Sequence, residues 1–268
     1  MMADIASELT RTSPQQGPIA FEQPLSERMR TFLRIEFLYQ QLHFHARDLA
    51  GFSARAAVTT LLEITTILGR GDVRSEVLKE LERHAGLLSS YSRLQDVDLE
   101  RVQLLIDNVE ALRSTLVASG SQFMSSIKKC QFLSMIKHRS SIPGGACMFD
   151  LPDYAYWLRL PSAERAGQFD DWTRGLRPVC DAVSEVLWLT RQANEPTEQI
   201  AARGLFQYHM ERNERVMLVR VLVPQDLGAF PEISAGKHRF TVRFATWEGI
   251  DTRPKQVVDD VPFLLALC

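Results

Sequence analysis

The strongest constraint in this chain is a change of rhythm at Pro196. Upstream, apolar residues recur at three- and four-residue spacing, the period of helices that bury one face. Downstream, the stretches 204–223, 238–247 and 261–267 alternate with a period of two or run apolar, as strands do. A chain that changes period once, instead of alternating strand and helix, has to fold as a helical part followed by a sheet part. The expected class is α+β, a mainly helical domain plus a mostly antiparallel β-sheet domain. With 268 residues and 45% hydrophobic content, one large core or two modest ones can be buried.

The helical part divides at its own punctuation. In SERMRTFLRIEFLYQQLHFHARDLAG, Ser26 is placed to cap a long helix, with Met29, Phe32, Leu33 and Phe37 as its buried stripe. A second helix runs from Ser53 to the glycines at 69 and 71, and Asp72 caps a third that reaches Tyr91. In the fourth, Val102, Leu105, Val109, Leu112 and Leu116 form a seam suited to antiparallel packing or to a dimer contact. One further helix is expected over 121–139, ending before IPGG, where Pro143, Gly144 and Gly145 cannot continue it. Then CMFDLP reads as extended, 153–160 and 162–176 as short helices, and the run from Pro178 as a longer one. The isolated extended piece IAFEQ, 19–23, is expected to join the sheet at an edge. The resulting division is 1–18 as a flexible polar tail, 24–145 as the helical domain, and 19–23 with 146–268 as the β-containing domain.

Several functional classes lose support at once. A formal charge of −2 removes bulk attraction to nucleic acid or anionic lipid, so any basic site must be a local patch. Cys130, Cys147, Cys180 and Cys268 form no CxxC pair, which suits a reducing compartment. No apolar run has the length of a membrane span, and the first residues lack a signal-peptide core. The one close histidine pair, His43 and His45, points apart on a helix, so no metal site is expected. GRGDVR and Gly144-Gly145 lack the spacing of phosphate loops, and no nucleophile elbow or protease signature occurs. Asp150 and Asp153 flank a helix start, where capping explains acids. Trp157 and Trp188 lie in apolar helical runs and are expected in the core. Catalytic residues and cofactors are accordingly not expected.

One stretch invites more. In GKHRFTVRFATW, 236–247, Lys237, Arg239 and Arg243 share one parity, while His238, Phe240, Val242 and Phe244 share the other. Such a row is either the solvated face of a sheet or a site for a peptide carboxylate, which arginine can hold with two hydrogen bonds. A single-stranded RNA platform would need aromatics among the cations, and here the phenylalanines point the other way. Nucleic-acid binding on the same face and an enzymatic role stay open as alternatives. Arg30 and Arg34 repel mildly across one helical turn and are expected to call on water or an external anion.

Four separated segments, FEQPLSERMRTFLRIEFLYQQL, GDVRSEVLKELERH, SIPGGACMFDLPDYAYWLRLP and PEISAGKHRFTVRF, closely resemble the ZapD family of Z-ring-associated cell division proteins. The resemblance spans roughly residues 19–268. It implies a two-part subunit, a symmetric homodimer, and a non-enzymatic, cytoplasmic role at the midcell division site. It also implies that the chain binds the C-terminal tail of the tubulin-like GTPase FtsZ and bundles its protofilaments, promoting Z-ring assembly and septation, with neither nucleic acid nor membrane as partner. Carried over by motif, the implied FtsZ tail-binding residues are Arg30, Arg34, Arg70, Lys237, Arg239 and Arg243. Within FDLPxxxxWL the chain departs from some members, carrying Ala155 or Tyr156 where they have a polar residue.

Overall fold

The computed structural model describes residues 17–94, 97–211, 215–236 and 238–268. The expected tail therefore falls, apart from Gly17 and Pro18, outside the described residues, as do Lys237 and most of the ERNE segment. The described residues form two compact units, one within 30–189 and one within 17–29 and 190–268. Contacts thus group 146–189 with the helices, because that stretch folds as helices that bury their apolar faces among the earlier ones. The class is α+β, with a helical unit and a unit of antiparallel sheets.

In the helical unit, α1 (Glu27–Ala46) buries Met29, Phe32, Ile35, Leu38, Tyr39 and Leu42. Phe37, expected in that stripe, is 66% exposed. It lies about 140° around the helix from Phe32, outside the arc that faces the core. Ser26 does cap this helix, accepting from the Met29 amide at 3.2 Å. Next come α2 (Gly51–Arg70), α3 (Val73–Tyr91) and α4 (Leu99–Ala118). Asp72 and Asp98 cap the last two by accepting from Ser75 N and Arg101 N at 3.2 and 3.0 Å.

The seam of α4 is used within the chain. Val102, Val109, Leu112 and Leu116 are buried, and Leu105 is half-buried. Arg74, at the start of α3, donates to the Leu116 and Val117 carbonyls at the end of α4, so the two helices run antiparallel.

Two local expectations change. The helix expected over 121–139 is broken into α5 (Ser125–Lys129) and α6 (Gln131–Arg139), with Cys130 extended between them. Ile127 on α5 and Leu133 on α6 are both buried, one on each side of the break. CMFDLP is a string of turns, not an extended piece, closed by Leu151 N to Cys147 O at 2.9 Å, and it follows turns closed by Ile142 N to Arg139 O, Gly145 N to Ile142 O and Cys147 N to Gly144 O at 2.9–3.0 Å. A Cβ on Gly145 would stand 2.3 Å from the Arg139 carbonyl oxygen, so that close approach requires glycine.

Three helices complete the unit: α7 (Pro152–Trp157), α8 (Ser162–Arg174) and α9 (Arg177–Arg191). Buried Arg165 ties their approach, donating to the carbonyls of Leu49 (2.6 Å), Leu158 (2.9 Å) and Leu160. Trp157 is buried in an aromatic cluster with Phe132, Tyr154 and Trp172, whereas Trp188, expected in the core, is 38% exposed.

The other unit contains two four-stranded antiparallel sheets. The first has the order β1 (Ile19–Pro24), β4 (Leu218–Val223), β8 (Val261–Leu267), β2 (Thr197–Ala201). The second has β3 (Leu205–His209), β6 (Arg239–Thr246), β5 (Ala229–Ala235), with β7 (Lys255–Gln256) also paired to β6. As expected, 19–23 takes a sheet edge.

The inner faces meet in one core of Val219, Val221 and Val223, Phe240, Val242 and Phe244, and Val261, Phe263 and Leu265. Glu22 secures the edge strand to its neighbours. It accepts from Arg191 through both carboxylate oxygens at 2.8 Å and from Arg220 Nε at 2.9 Å.

Strands β2 and β5 were not signalled by the pattern. The first is an edge strand with mostly exposed polar side chains. The second contains Pro231, which normally disqualifies a strand. Pro231 pairs with Phe244, whose amide and carbonyl bond instead to Gly204 and Val257 on the opposite side, so no ladder bond is lost.

Replacing Arg165 by leucine would leave three carbonyls without their donor. We expect a loss of about 2–4 kcal/mol in urea unfolding, from the usual cost of unsatisfied buried acceptors.

Candidate functional site

Strand β6 carries the most informative surface. Phe240, Val242 and Phe244 are buried at 0–1% exposure, which forces Arg239, Thr241 and Arg243 to the outer face. This is the parity the sequence announced, and it leaves no stacked phenylalanines among the cations. Neighbouring strands complete the face in cross-strand rows. Leu205, Arg243 and Glu232 form one, Gln207, Thr241 and Ser234 the next, and His209 lies opposite Arg239.

The two arginines differ. Arg239 is exposed and its guanidinium has no hydrogen bond or ion pair among the described residues. Arg243 donates through Nε to Glu232 Oε2 at 3.0 Å, and through Nη2 to the same oxygen. The strand's own sequence holds no acid between these arginines, and Glu232 supplies one from β5, a strand the sequence pattern did not signal. The signal lay in PEISA, where Pro231, Ile233 and Ala235 alternate with Glu232 and Ser234.

The remaining arginines belong to the helical unit. Arg34 is exposed on α1, and Arg70 is exposed in the last turn of α2. Arg30 is half-buried and has an interaction within the chain, while its Nε is buried with no hydrogen-bond partner among the described residues. Phe37, three residues beyond Arg34, adds an exposed aromatic the stripe analysis had placed inside. Ala155 is buried and Tyr156 is 69% exposed.

Titratable groups cluster elsewhere too. A cavity of about 240 Å³ in the helical unit is lined by Tyr39, Leu42, His43, Phe169, Asp170 and Arg177, among others. Its polar groups are spent on one another. Tyr39 OH donates to Asp181 Oδ1 at 2.7 Å, and Arg177 pairs with Asp170. Burial pushes both the Tyr39 hydroxyl and the Asp181 carboxyl up, and it does the same to the buried Cys180 thiol. A shared Tyr–Asp hydrogen bond and a protonated, inaccessible thiol make a helix clamp, without an activated nucleophile. No group of histidine, cysteine and acidic side chains suited to a metal ion occurs among the described residues. No helix is long and apolar enough to cross a membrane among them.

An α+β protein with two exposed arginines on the outer face of one sheet is the class that fold and surface define. Comparison with known proteins narrows it. The ZapD family model, described as "Cell division protein", matches residues 33–243. The chain is 36% identical over 254 residues to the cell division protein ZapD of Methylococcus capsulatus, covering 94% of this chain and 99% of that one. It is 34% identical to the ZapD proteins of a Janthinobacterium strain (93% and 99% covered) and of Aromatoleum aromaticum (94% and 98%). The chain belongs to the ZapD family of cell division proteins.

His84 supplies a pH dependence. It is buried on α3 and its Nε2 lies 2.8 Å from Arg83 Nη2. Burial first, and the Arg83 charge second, lower its pKa from 6.5 to about 4. A depressed histidine is neutral in both folded and unfolded chains above pH 6.5, so its stability contribution is intact there. As pH falls from 6.5 toward 4, only the unfolded chain takes up the proton and stability drops. Between pH 7.5 and 5 we expect His84 to account for a loss of about 1–2 kcal/mol. Urea unfolding at both values should show a smaller loss in His84→Leu.

Proposed function

We propose that this chain binds the C-terminal tail of FtsZ through its exposed arginines and, as a symmetric homodimer, joins FtsZ protofilaments into bundles that build the Z-ring. The observation that carries this reading is the outward row of Arg239 and Arg243 over a buried aromatic face, in a member of a cell division family. The same reading adds Arg34 and Arg70 as exposed cations, with Arg30 and Lys237 as further tail-binding residues implied by the family motifs. The cytoplasm at midcell is the corresponding location, and the role is non-enzymatic, in keeping with relatives named for cell division.

The physical chemistry favours many weak contacts over one strong one. A polymer displays its tail once per subunit, so a dimer holding one tail meets the next at high effective concentration. Two-fold symmetry presents the same surface twice, as joining two filaments requires. An exposed arginine–carboxylate contact is screened by salt, and a flexible tail loses entropy on ordering, so each site stays weak.

Charge reversal separates this reading from a general basic surface. The double variant Arg239→Glu/Arg243→Glu should keep its circular dichroism spectrum and its dimer mass, yet lose co-sedimentation with FtsZ polymers. Unchanged pelleting would remove those two residues from the site. FtsZ truncated before its C-terminal tail should remain as single filaments by electron microscopy when the wild-type chain is added, and bundles there would place the contact on the filament body.

A further inference from the structure

Resting on the reading of the β6 face as a carboxylate-binding surface, we infer that Glu232 is a built-in competitor that occupies Arg243 and sets how many carboxylates a ligand must bring. The pair is fixed by register. Glu232 on β5 stands directly opposite Arg243 on β6, so their side chains meet without any displacement of the backbone. Both side chains are 44% exposed, so an incoming peptide can reach the pair. Glu232 uses one oxygen to take two donors of the guanidinium, the edge that would otherwise grip a ligand carboxylate. It also sets a negative charge where that carboxylate would have to arrive.

Arg239 offers the contrast. It lies four residues along the same strand, about 13 Å away at the usual rise, and its cross-strand neighbour is His209 instead of an acid. One guanidinium of the row is therefore open and the other is already filled. A ligand with a single carboxylate is served by Arg239 alone. An extended segment with carboxylates four residues apart matches the spacing of both arginines, and gains the second contact only by displacing Glu232. Exchanging one exposed ion pair for another changes the free energy little, so Glu232 weakens the second contact without closing it. The ligand class is an acidic, extended peptide, and Glu232 is the residue that discounts its second carboxylate.

Fluorescence anisotropy tests this with two labelled synthetic peptides, one with aspartates at its first and fifth positions and one with the first alone, beside a peptide of the FtsZ C-terminal tail. Glu232→Gln should bind the two-aspartate peptide about two- to five-fold more tightly than wild type, with the gain shrinking as salt rises. It should bind the one-aspartate peptide equally well, and the gain should vanish in the Arg243→Gln background. Glu232→Ala serves as a second variant, and equal melting temperatures confirm an intact fold. Equal affinity of wild type and both variants for the two-aspartate peptide overturns the inference. So does a gain that survives Arg243→Gln, or the absence of any binding to either synthetic peptide. A gain with the synthetic peptide, combined with no binding of the FtsZ peptide, upholds Glu232 as a competitor while removing FtsZ as the partner.

Discussion

The packing of β6 against β8 is the contact on which the sheet unit and its outer surface both depend. Phe244 and Phe263 lie 5.3 Å apart between ring centres, with Phe206 edge-on to Phe263 at the same distance. Aromatic pairs of this kind add directional preference to a large buried area. Because successive side chains of a strand point oppositely, burying Phe240, Val242 and Phe244 leaves Arg239, Thr241 and Arg243 only the outer face. A shift by one residue would send three arginine-parity positions into an apolar core, which the desolvation cost of a guanidinium forbids. The cationic row is thus a by-product of the core, held in place by it.

The surface that results is cationic but not uniformly so. Cross-strand pairing brings an acid to one arginine and a histidine to the other, so two residues that look equivalent along the chain become chemically unequal. Modest, unequal contacts would suit the proposed binding to a polymer, where repetition supplies the avidity that no single site has. The helical unit contributes exposed cations of its own in Arg34 and Arg70, each set by helix phase or a helix end and not by a sheet register.

Much of the fold was legible wherever periodicity was strong. Asp72 caps α3, Ser26 caps α1, most of the α4 seam is buried, and IAFEQ takes a sheet edge. Misreadings share a cause: a local pattern met a tertiary demand. Helix phase put Phe37 outside although it completes an apolar stripe on paper. One expected helix is interrupted at Cys130, which is extended between two shorter ones. A turn closed by Leu151 on Cys147 replaced an extended segment, and Pro231 fits a strand because Phe244 bonds to the other side.

The sequence by itself determined the two periods, the caps, and the parity that separates Arg239 and Arg243 from Phe240 and Phe244, because these follow from chain geometry within a few residues. It also carried the family resemblance, which depends only on the order of motifs. Tertiary structure alone decided that Glu232 stands beside Arg243 and that the Tyr39 hydroxyl closes on Asp181. Those pairs join positions 11 and 142 residues apart in the chain, and only the register of paired strands and the packing of helices can set them.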